Sequence, residues 1–400
     1  MWSGPSVRVP STLRRHLGGA VTPGRWLHQR YQGSAGARQY DVYLPAGVSA
    51  GLSARTRVPM VMLLHGCRQS AMEFARESGF TAAADATGFV IVAPRQELQH
   101  QLQRCWRWYD SSHQRRGSGE PAILRGIALE MLGGQVECRI DRRRVYVAGL
   151  SAGGAMALIL ATTYPDVFAA AGVHSATAYR SATQGFSALG AMAARGSLPS
   201  HGGIGGEMAP VVLIHGTNDR VVRAPNADRI VDQWLASRDS KTPQGLGRVR
   251  PLATTRAFVA DGRRCIRTRW YTASGRRVLE YWRIDGLRHA WSGGAVRGPF
   301  VDLAGPKAAE VMWTFFKRHR LPNGTPEADA PIVVMTSAGT RTSVGCSGTD
   351  PASSQIRCAA ADVEDSDGTA PGPAAESTAT SERGGADPRA APLRRFPWPH

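Results

Sequence analysis

Short apolar runs rich in valine, isoleucine and leucine recur along the chain, and stretches of good helix formers separate them. Residues 59–64, 89–94, 145–148, 168–175 and 210–214 read as strands buried on both faces. Between them, residues 74–87, 152–164 and 225–237 read as helices, and Ser118-Gly119-Glu120-Pro121 opens another. Proline suits a first helical turn, and an acid there favours the positive end of the helix dipole. Alternation over 37–44 predicts an edge strand stopped by Pro45. Residues 268–284 predict paired strands turning at Ser274-Gly275, and residues 306–318 a last amphipathic helix. Strands alternating with helices in this way predict a mostly parallel sheet with helices on both faces.

The same pattern divides the chain. Residues 1–26 read as a loose leader, 27–320 as one α/β domain, and 321–400 as a tail dominated by Ala, Gly, Pro, Ser, Thr and acidic residues. Such a tail buries too little apolar surface to offset the entropy of ordering, so disorder is expected there. A Gly/Ala/Ser-rich segment over 177–210 is long enough to border a cleft.

One junction carries chemistry. Residues 145–148 run into Gly149-Leu150-Ser151-Ala152-Gly153, and helix formers follow at once. A serine in so sharp a strand-to-helix turn projects its hydroxyl above the sheet edge, and small neighbours let strand and helix close on each other. The bare G-x-S-x-G is common in a chain with 45 glycines, and residues 51–55 nearly match it without a strand before them. At Ser151 strand, turn and helix come in order.

A serine hydroxyl needs an imidazole to take its proton and a carboxylate to orient that imidazole. Asp219 lies just past the strand at 210–214, whereas Asp228 and Asp232 lie on a helix. His289 follows the paired strands, whereas His319 sits at a helix end and His400 in the tail. The order Ser151, Asp219, His289, each after a strand, fits a nucleophile, acid and base meeting at one sheet edge. Upstream, the strand at 59–64 runs into His65-Gly66-Cys67. The backbone N–H groups of Cys67 and Ala152 are the expected oxyanion donors, and the His65 side chain is expected to fix the turn by local hydrogen bonds. Trp106, Trp108 and Tyr109 crowd a polar loop and serve either to cover the core or to wall an apolar cleft. Trp106, Trp108 and Trp291 are taken as bordering the substrate.

Charge changes this picture little. The formal net charge is +18, but it is almost all arginine, scattered in small clusters, and the only lysines are Lys241, Lys307 and Lys317. No basic helix with interleaved aromatics and no zinc-finger spacing accompanies it, so nucleic acid is not an expected partner. Six cysteines without C-x-x-C or His/Cys spacing predict no metal site. Neither a transmembrane run nor a signal-type apolar core after the N-terminal arginines is visible.

Leu64-His65-Gly66-Cys67-Arg68-Gln69, Arg104-Cys105-Trp106-Arg107-Trp108, Arg116-Gly117-Ser118-Gly119-Glu120-Pro121, the Ser151 turn and His289-Ala290-Trp291-Ser292-Gly293-Gly294 stand in that order. Together they resemble the poly(3-hydroxybutyrate) depolymerase family of esterases, specifically the type 1 catalytic domain that hydrolyses short-chain polyhydroxyalkanoates. The resemblance runs over about 24–320 and is carried by five ordered motifs. It implies an α/β-hydrolase fold and a cofactor-free serine esterase with Ser151 as nucleophile, Asp219 as acid, His289 as base and Cys67 in the oxyanion hole. It also implies a Cys67–Cys105 disulfide and an extracellular location, with a cytoplasmic one as the alternative. The expected substrate is a 3-hydroxybutyrate polyester or its oligomers; acetylated or feruloylated carbohydrates are the alternative. Solid-polymer depolymerases add a folded polymer-binding domain, whereas the tail here is low in aromatics, so a grip on crystalline granules is not expected.

Overall fold

The computed structural model describes residues 24–49, 56–195, 208–239, 252–323, 332–335 and 341–344. In chain order the elements are β1 (Arg25–Gly33), β2 (Gly36–Leu44), α1 (Ala46–Ser49), β3 (Arg57–Leu64), α2 (Ala71–Glu77), α3 (Phe80–Thr87), β4 (Val90–Pro94), α4 (Gly119–Leu132), β5 (Arg139–Leu150) and α5 (Ala152–Thr163). There follow β6 (Ala170–His174), α6 (Ser187–Met192), β7 (Val211–Gly216), α7 (Pro225–Asp239), β8 (Leu252–Ala260), β9 (Arg263–Tyr271), β10 (Arg277–Ile284), β11 (Trp291–Ser292), β12 (Val301–Asp302) and α8 (Ala308–Phe316).

Ten strands form one sheet in the order β1-β2-β4-β3-β5-β6-β7-β10-β9-β8. The run from β4 to β10 is parallel, while β1, β2 and β8, β9 close its two sides with antiparallel pairs. Parallel strands need both faces covered, and their sequence shows it: β3, β4, β6 and β7 are buried almost throughout. Val61, Leu63, Tyr146, Ala148, Val212 and Ile214 join one core with α2, α3 and α8. Their alternates, Met60, Met62, Val145, Val147, Val211 and Leu213, are equally buried on the opposite face, where α4 and α5 pack. Aromatic pairs fix α8 to its face: Tyr146 stacks on Phe316 at 4.9 Å and Phe89 on Trp313 at 4.3 Å. Each such pair stabilises by about 0.5–1.5 kcal/mol beyond its buried area. Helix α5 is buried nearly all round, matching its apolar composition.

Four expectations change. The helix over 74–87 is two helices, broken at Ser78-Gly79, where Gly79 takes φ +82° and the Ser78 carbonyl accepts the Trp291 indole N–H at 3.0 Å. Strand β1 begins inside the expected leader, and β8 was not anticipated. Most of β8 is exposed, so no burial alternation marks it. Within the expected tail, Ile332–Met335 (β13) and Arg341–Val344 (β14) pair antiparallel; the rest of the tail and the leader up to residue 23 lie outside the described residues.

Past the end of α8, His319 is fully buried against Phe315, and neither ring nitrogen has a partner among the described residues. Burial pushes its pKa down to about 3. A folded-state value below the unfolded 6.5 means the unfolded chain binds the extra proton first, so stability is lost as pH falls from about 6.5 toward 3. His319→Leu should therefore melt no lower than the parent at pH 7 and lose less between pH 6.5 and 4. Thermal melts at the two pH values check this, and a clear drop at pH 7 would contradict it.

Candidate active site

Strand β5 ends at Leu150, and Ser151 turns the chain into α5 with φ +56° and ψ −119°. A non-glycine residue held there costs on the order of 1–3 kcal/mol. The turn is that sharp because strand and helix nearly touch. A Cβ on Gly153 would lie 2.1 Å from the Leu64 carbonyl oxygen, and one on Gly149 would lie 2.3 Å from the Gly153 carbonyl. The Ser151 N–H donates to the His174 carbonyl of the adjacent strand at 2.9 Å, which anchors the strained residue.

Asp219 lies three residues past β7, and His289 sits between β10 and β11. The two loops are tied together: Asn218 N–H donates to the Leu287 carbonyl, and a Cβ on Gly216 would stand 2.1 Å from that same oxygen. His289 Nε2 is 2.9 Å from Ser151 Oγ, and His289 Nδ1 is 2.8 Å from Asp219 Oδ2. With the carboxylate accepting at Nδ1–H, Nε2 is the free acceptor for the serine proton. Asp219 is buried, and its Oδ1 accepts the N–H groups of Val221 and Val222 at 3.0 and 2.8 Å. The three residues expected to meet are hydrogen-bonded in one line.

Two further buried imidazoles back this line. His215 Nε2 donates to the Val222 carbonyl at 2.8 Å and lies 3.5 Å from Asp219 Oδ2, so it braces the loop that carries Asp219. His174 accepts the Ser292 N–H at Nε2 and stacks on Trp291 at 4.9 Å. Burial lowers the pKa of both, His174 well below the usual value, which keeps them neutral.

The His65-Gly66-Cys67 loop reaches the serine from β3. A Cβ on Gly66 would be 3.7 Å from Ser151 Cβ, and the Gly66 N–H donates to Gln69 Oε1 at 2.8 Å. The His65 ring donates from Nδ1 to the Gly66 carbonyl at 2.7 Å and accepts the Gln96 N–H at Nε2. Its side chain fixes the turn, and burial pushes its pKa down to about 4. The Ala152 N–H is the first of its helix and has no intrahelical acceptor. The Cys67 N–H has no hydrogen-bond partner among the described residues. Cys67 is joined to Cys105 in a disulfide.

The tryptophans require a correction. Trp291 is fully buried, edge-on to Phe74 at 5.3 Å and stacked on His174, with its indole N–H on Ser78; it is core beneath the His289 loop, not a cleft wall. Trp106 is also fully buried and donates its indole N–H to the His65 carbonyl at 3.1 Å, so it supports the loop from below. Trp108 retains slight exposure and packs edge-on against the half-buried Tyr109.

Glu120 does more than favour the positive end of the α4 dipole. Its larger role is as a buried acceptor: Oε1 takes Gln96 Nε2 at 2.6 Å and Arg38 Nη2 at 3.4 Å, and Oε2 takes the Arg107 N–H at 2.7 Å. It thus clamps the tryptophan loop. The available signal was an acid on the apolar face of a helix that continues through Ile123, Leu124 and Ile127. Among the described residues no cluster of three His, Cys, Asp or Glu stands ready to hold a metal ion.

The disulfide closes a separation of 38 residues around the loop. The chain-entropy model assigns such a bridge about 4 kcal/mol. Cys105→Ser should lower the denaturant midpoint accordingly and slow hydrolysis of a short nitrophenyl ester, and a reducing agent should reproduce both effects in the parent. Unchanged stability and rate would show that the bridge does not organise this loop.

A family model described as esterase PHB depolymerase matches residues 38–249, more than half of the chain. Poly(3-hydroxyalkanoate) depolymerase C of Paucimonas lemoignei is 32% identical over 209 residues, covering 50% of this chain and 48% of that protein. Feruloyl esterase B of Thermothelomyces thermophilus is 26% identical over 226 residues, covering 52% and 75%. The chain spans less than half the length of two depolymerases it matches, 48% of the one from Paucimonas lemoignei and 37% of one from Ralstonia pickettii. Among solved structures, an acetyl xylan esterase from Aspergillus awamori superposes with a TM-score of 0.55 at 16% identity, over 74% of this chain and 100% of that one, a likeness of fold. The chain belongs to the PHB depolymerase family of esterases, built on an α/β-hydrolase fold.

Proposed function

We propose that this protein hydrolyses carboxylic esters through an acyl-enzyme on Ser151, and that its substrates are short-chain 3-hydroxyalkanoate polyesters or their oligomers. The observation that carries the mechanism is the hydrogen-bonded line Ser151–His289–Asp219 at the C-terminal edge of the parallel strands. Ser151 Oγ attacks the ester carbonyl carbon while His289 Nε2 takes the hydroxyl proton. The carbonyl oxygen becomes anionic and accepts the N–H groups of Cys67 and Ala152. Collapse breaks the bond to the alcohol, which leaves with the proton from His289. Water then attacks the acyl carbon, giving its proton to His289, and the second collapse releases the acid and returns the proton to Ser151. Asp219 holds the imidazole in the required tautomer and stabilises it when charged.

The polyester substrate is supported by the relatives named as depolymerases and by the apolar side chains on loops that follow the strands at this sheet edge. Leu98 and Leu102 follow β4, and Phe186 and Leu189 follow β6; all four are exposed. A second reading, a carbohydrate esterase acting on acetyl or feruloyl groups, draws on the relatives named feruloyl esterase B and acetylxylan esterase. An extracellular location is supported by the disulfide, because such bonds persist in oxidising compartments. No helix among the described residues is long and apolar enough to cross a membrane.

The test is release of soluble 3-hydroxybutyrate from amorphous poly(3-hydroxybutyrate). The parent should release it, and Ser151→Ala should lower the rate by about 10⁴-fold or more. A parent that cleaves acetylated xylan or methyl ferulate but not the polyester would overturn the substrate while leaving the mechanism.

A further inference from the structure

Arginines that look scattered in the sequence are gathered by the fold on one face of the antiparallel ribbon β8–β9–β10. Register puts Arg256 directly opposite Arg267, and Arg267 opposite Trp282. Two residues along β9, Arg269 stands opposite Glu280 on that same face, and Arg277 reaches the same carboxylate from the start of β10. Just past α8, burial lowers the pKa of His319, and the charges of Arg276, Arg277 and Arg318 lower it further, so these guanidiniums stand around one ring.

Negative charge does not balance this cluster. Glu280 is 2% exposed, and both of its oxygens are spent: Oε2 on Arg269 Nε at 3.1 Å and Arg277 Nη1 at 2.6 Å, Oε1 on the Trp282 indole N–H at 2.7 Å. Arg267 has aromatic partners instead of a carboxylate, its guanidinium lying 5.0 Å from the Phe258 ring and 5.1 Å from the Trp282 ring. Arg256, Arg276 and Arg318 are exposed and make no ion pair among the described residues. Like charges directly opposite on neighbouring strands destabilise a sheet, and Arg256 with Arg267 is such a pair. An external anion relieves that repulsion.

Shape selects the anion. The guanidiniums spread over three strands and the end of a helix, an area rather than a track. Leu252, 70% exposed, shares their face of β8. A single polyanion presents a line of charge, whereas a bilayer presents an array of headgroups over an apolar interior that accepts an aliphatic side chain. The cluster runs from the level of Trp282 back to the start of β10, away from the strand ends that Ser151 and His289 follow.

We propose that this face docks peripherally on a bilayer surface rich in anionic phospholipid headgroups, which leaves the Ser151 edge open to substrate. The inference does not depend on which ester the protein hydrolyses.

The experiment is cosedimentation of the full-length protein with vesicles, in a Ser151→Ala background so that no lipid ester is turned over. Vesicles containing about one-third phosphatidylglycerol should bind the protein at least about tenfold more tightly than pure phosphatidylcholine vesicles. Salt at ~0.5 M should release it. The triple variant Arg256→Gln, Arg276→Gln, Arg318→Gln should bind at least about tenfold more weakly. The control triple Arg115→Gln, Arg223→Gln, Arg297→Gln removes the same charge from loops at the opposite edge and should weaken binding less than about threefold, which separates the face from net charge. In the Ser151 parent, the three substitutions on the face should leave hydrolysis of a short nitrophenyl ester unchanged, showing that the variant is folded. Equal binding to both kinds of vesicle, or equal losses in the two triple variants, would overturn the proposal. Binding of soluble tripolyphosphate without binding of vesicles would overturn it too, in favour of a free polyanion.

Discussion

Close approach of backbone to backbone at the end of β5 is the constraint on which the rest depends. Gly153 lies against the carbonyls of Leu64 and His65, and Gly149 against Gly153 itself, so neither position has room for a side chain. That contact sets the sharpness of the Ser151 turn, and the same contact brings the His65-Gly66-Cys67 loop at the end of β3 alongside the serine. The strain at Ser151 is offset by burial of α5, whose Met156, Leu158, Ile159 and Leu160 are among the most buried residues of the chain. One local geometry therefore positions Ser151, the backbone N–H groups of Cys67 and Ala152, and the helix that secures them.

Asp219 and His289 are positioned differently, by loops that lock onto one another. The Gly216–Leu287 contact and the Asn218–Leu287 hydrogen bond hold the turn after β7 against the turn after β10. His215 braces the Asp219 loop through the Val222 carbonyl, and Trp291 roots the His289 loop in the core through Phe74, Phe80 and His174. Three histidines thus stand close together with distinct tasks. Only His289 keeps a path to the serine; His174 and His215 are sealed in and held neutral by burial.

The parallel core of the sheet was legible because buried strands advertise themselves as apolar runs, and because Ser151, Asp219 and His289 each follow such a run. What was not legible divides by physical cause. Strand β8 is mostly exposed and carries no alternating pattern, so only its pairing with β9 reveals it. At the break between α2 and α3 the Trp291 indole N–H donates to the Ser78 carbonyl, a contact between segments far apart in sequence. The same distance defeats any attempt to decide from Trp291 alone whether its ring faces substrate or core. Glu120 illustrates the opposite difficulty: a local explanation, the helix dipole, sufficed and hid its partners Gln96, Arg38 and Arg107.

The account stands or falls on Ser151 being a nucleophile activated by His289. The most direct measurement is intact-protein and peptide mass spectrometry after exposure to a fluorophosphonate, which phosphonylates activated serines. A single adduct on the Ser151 peptide, formed far more slowly in His289→Ala, is the predicted result. An unlabelled Ser151, or labelling at the same rate without His289, would contradict it.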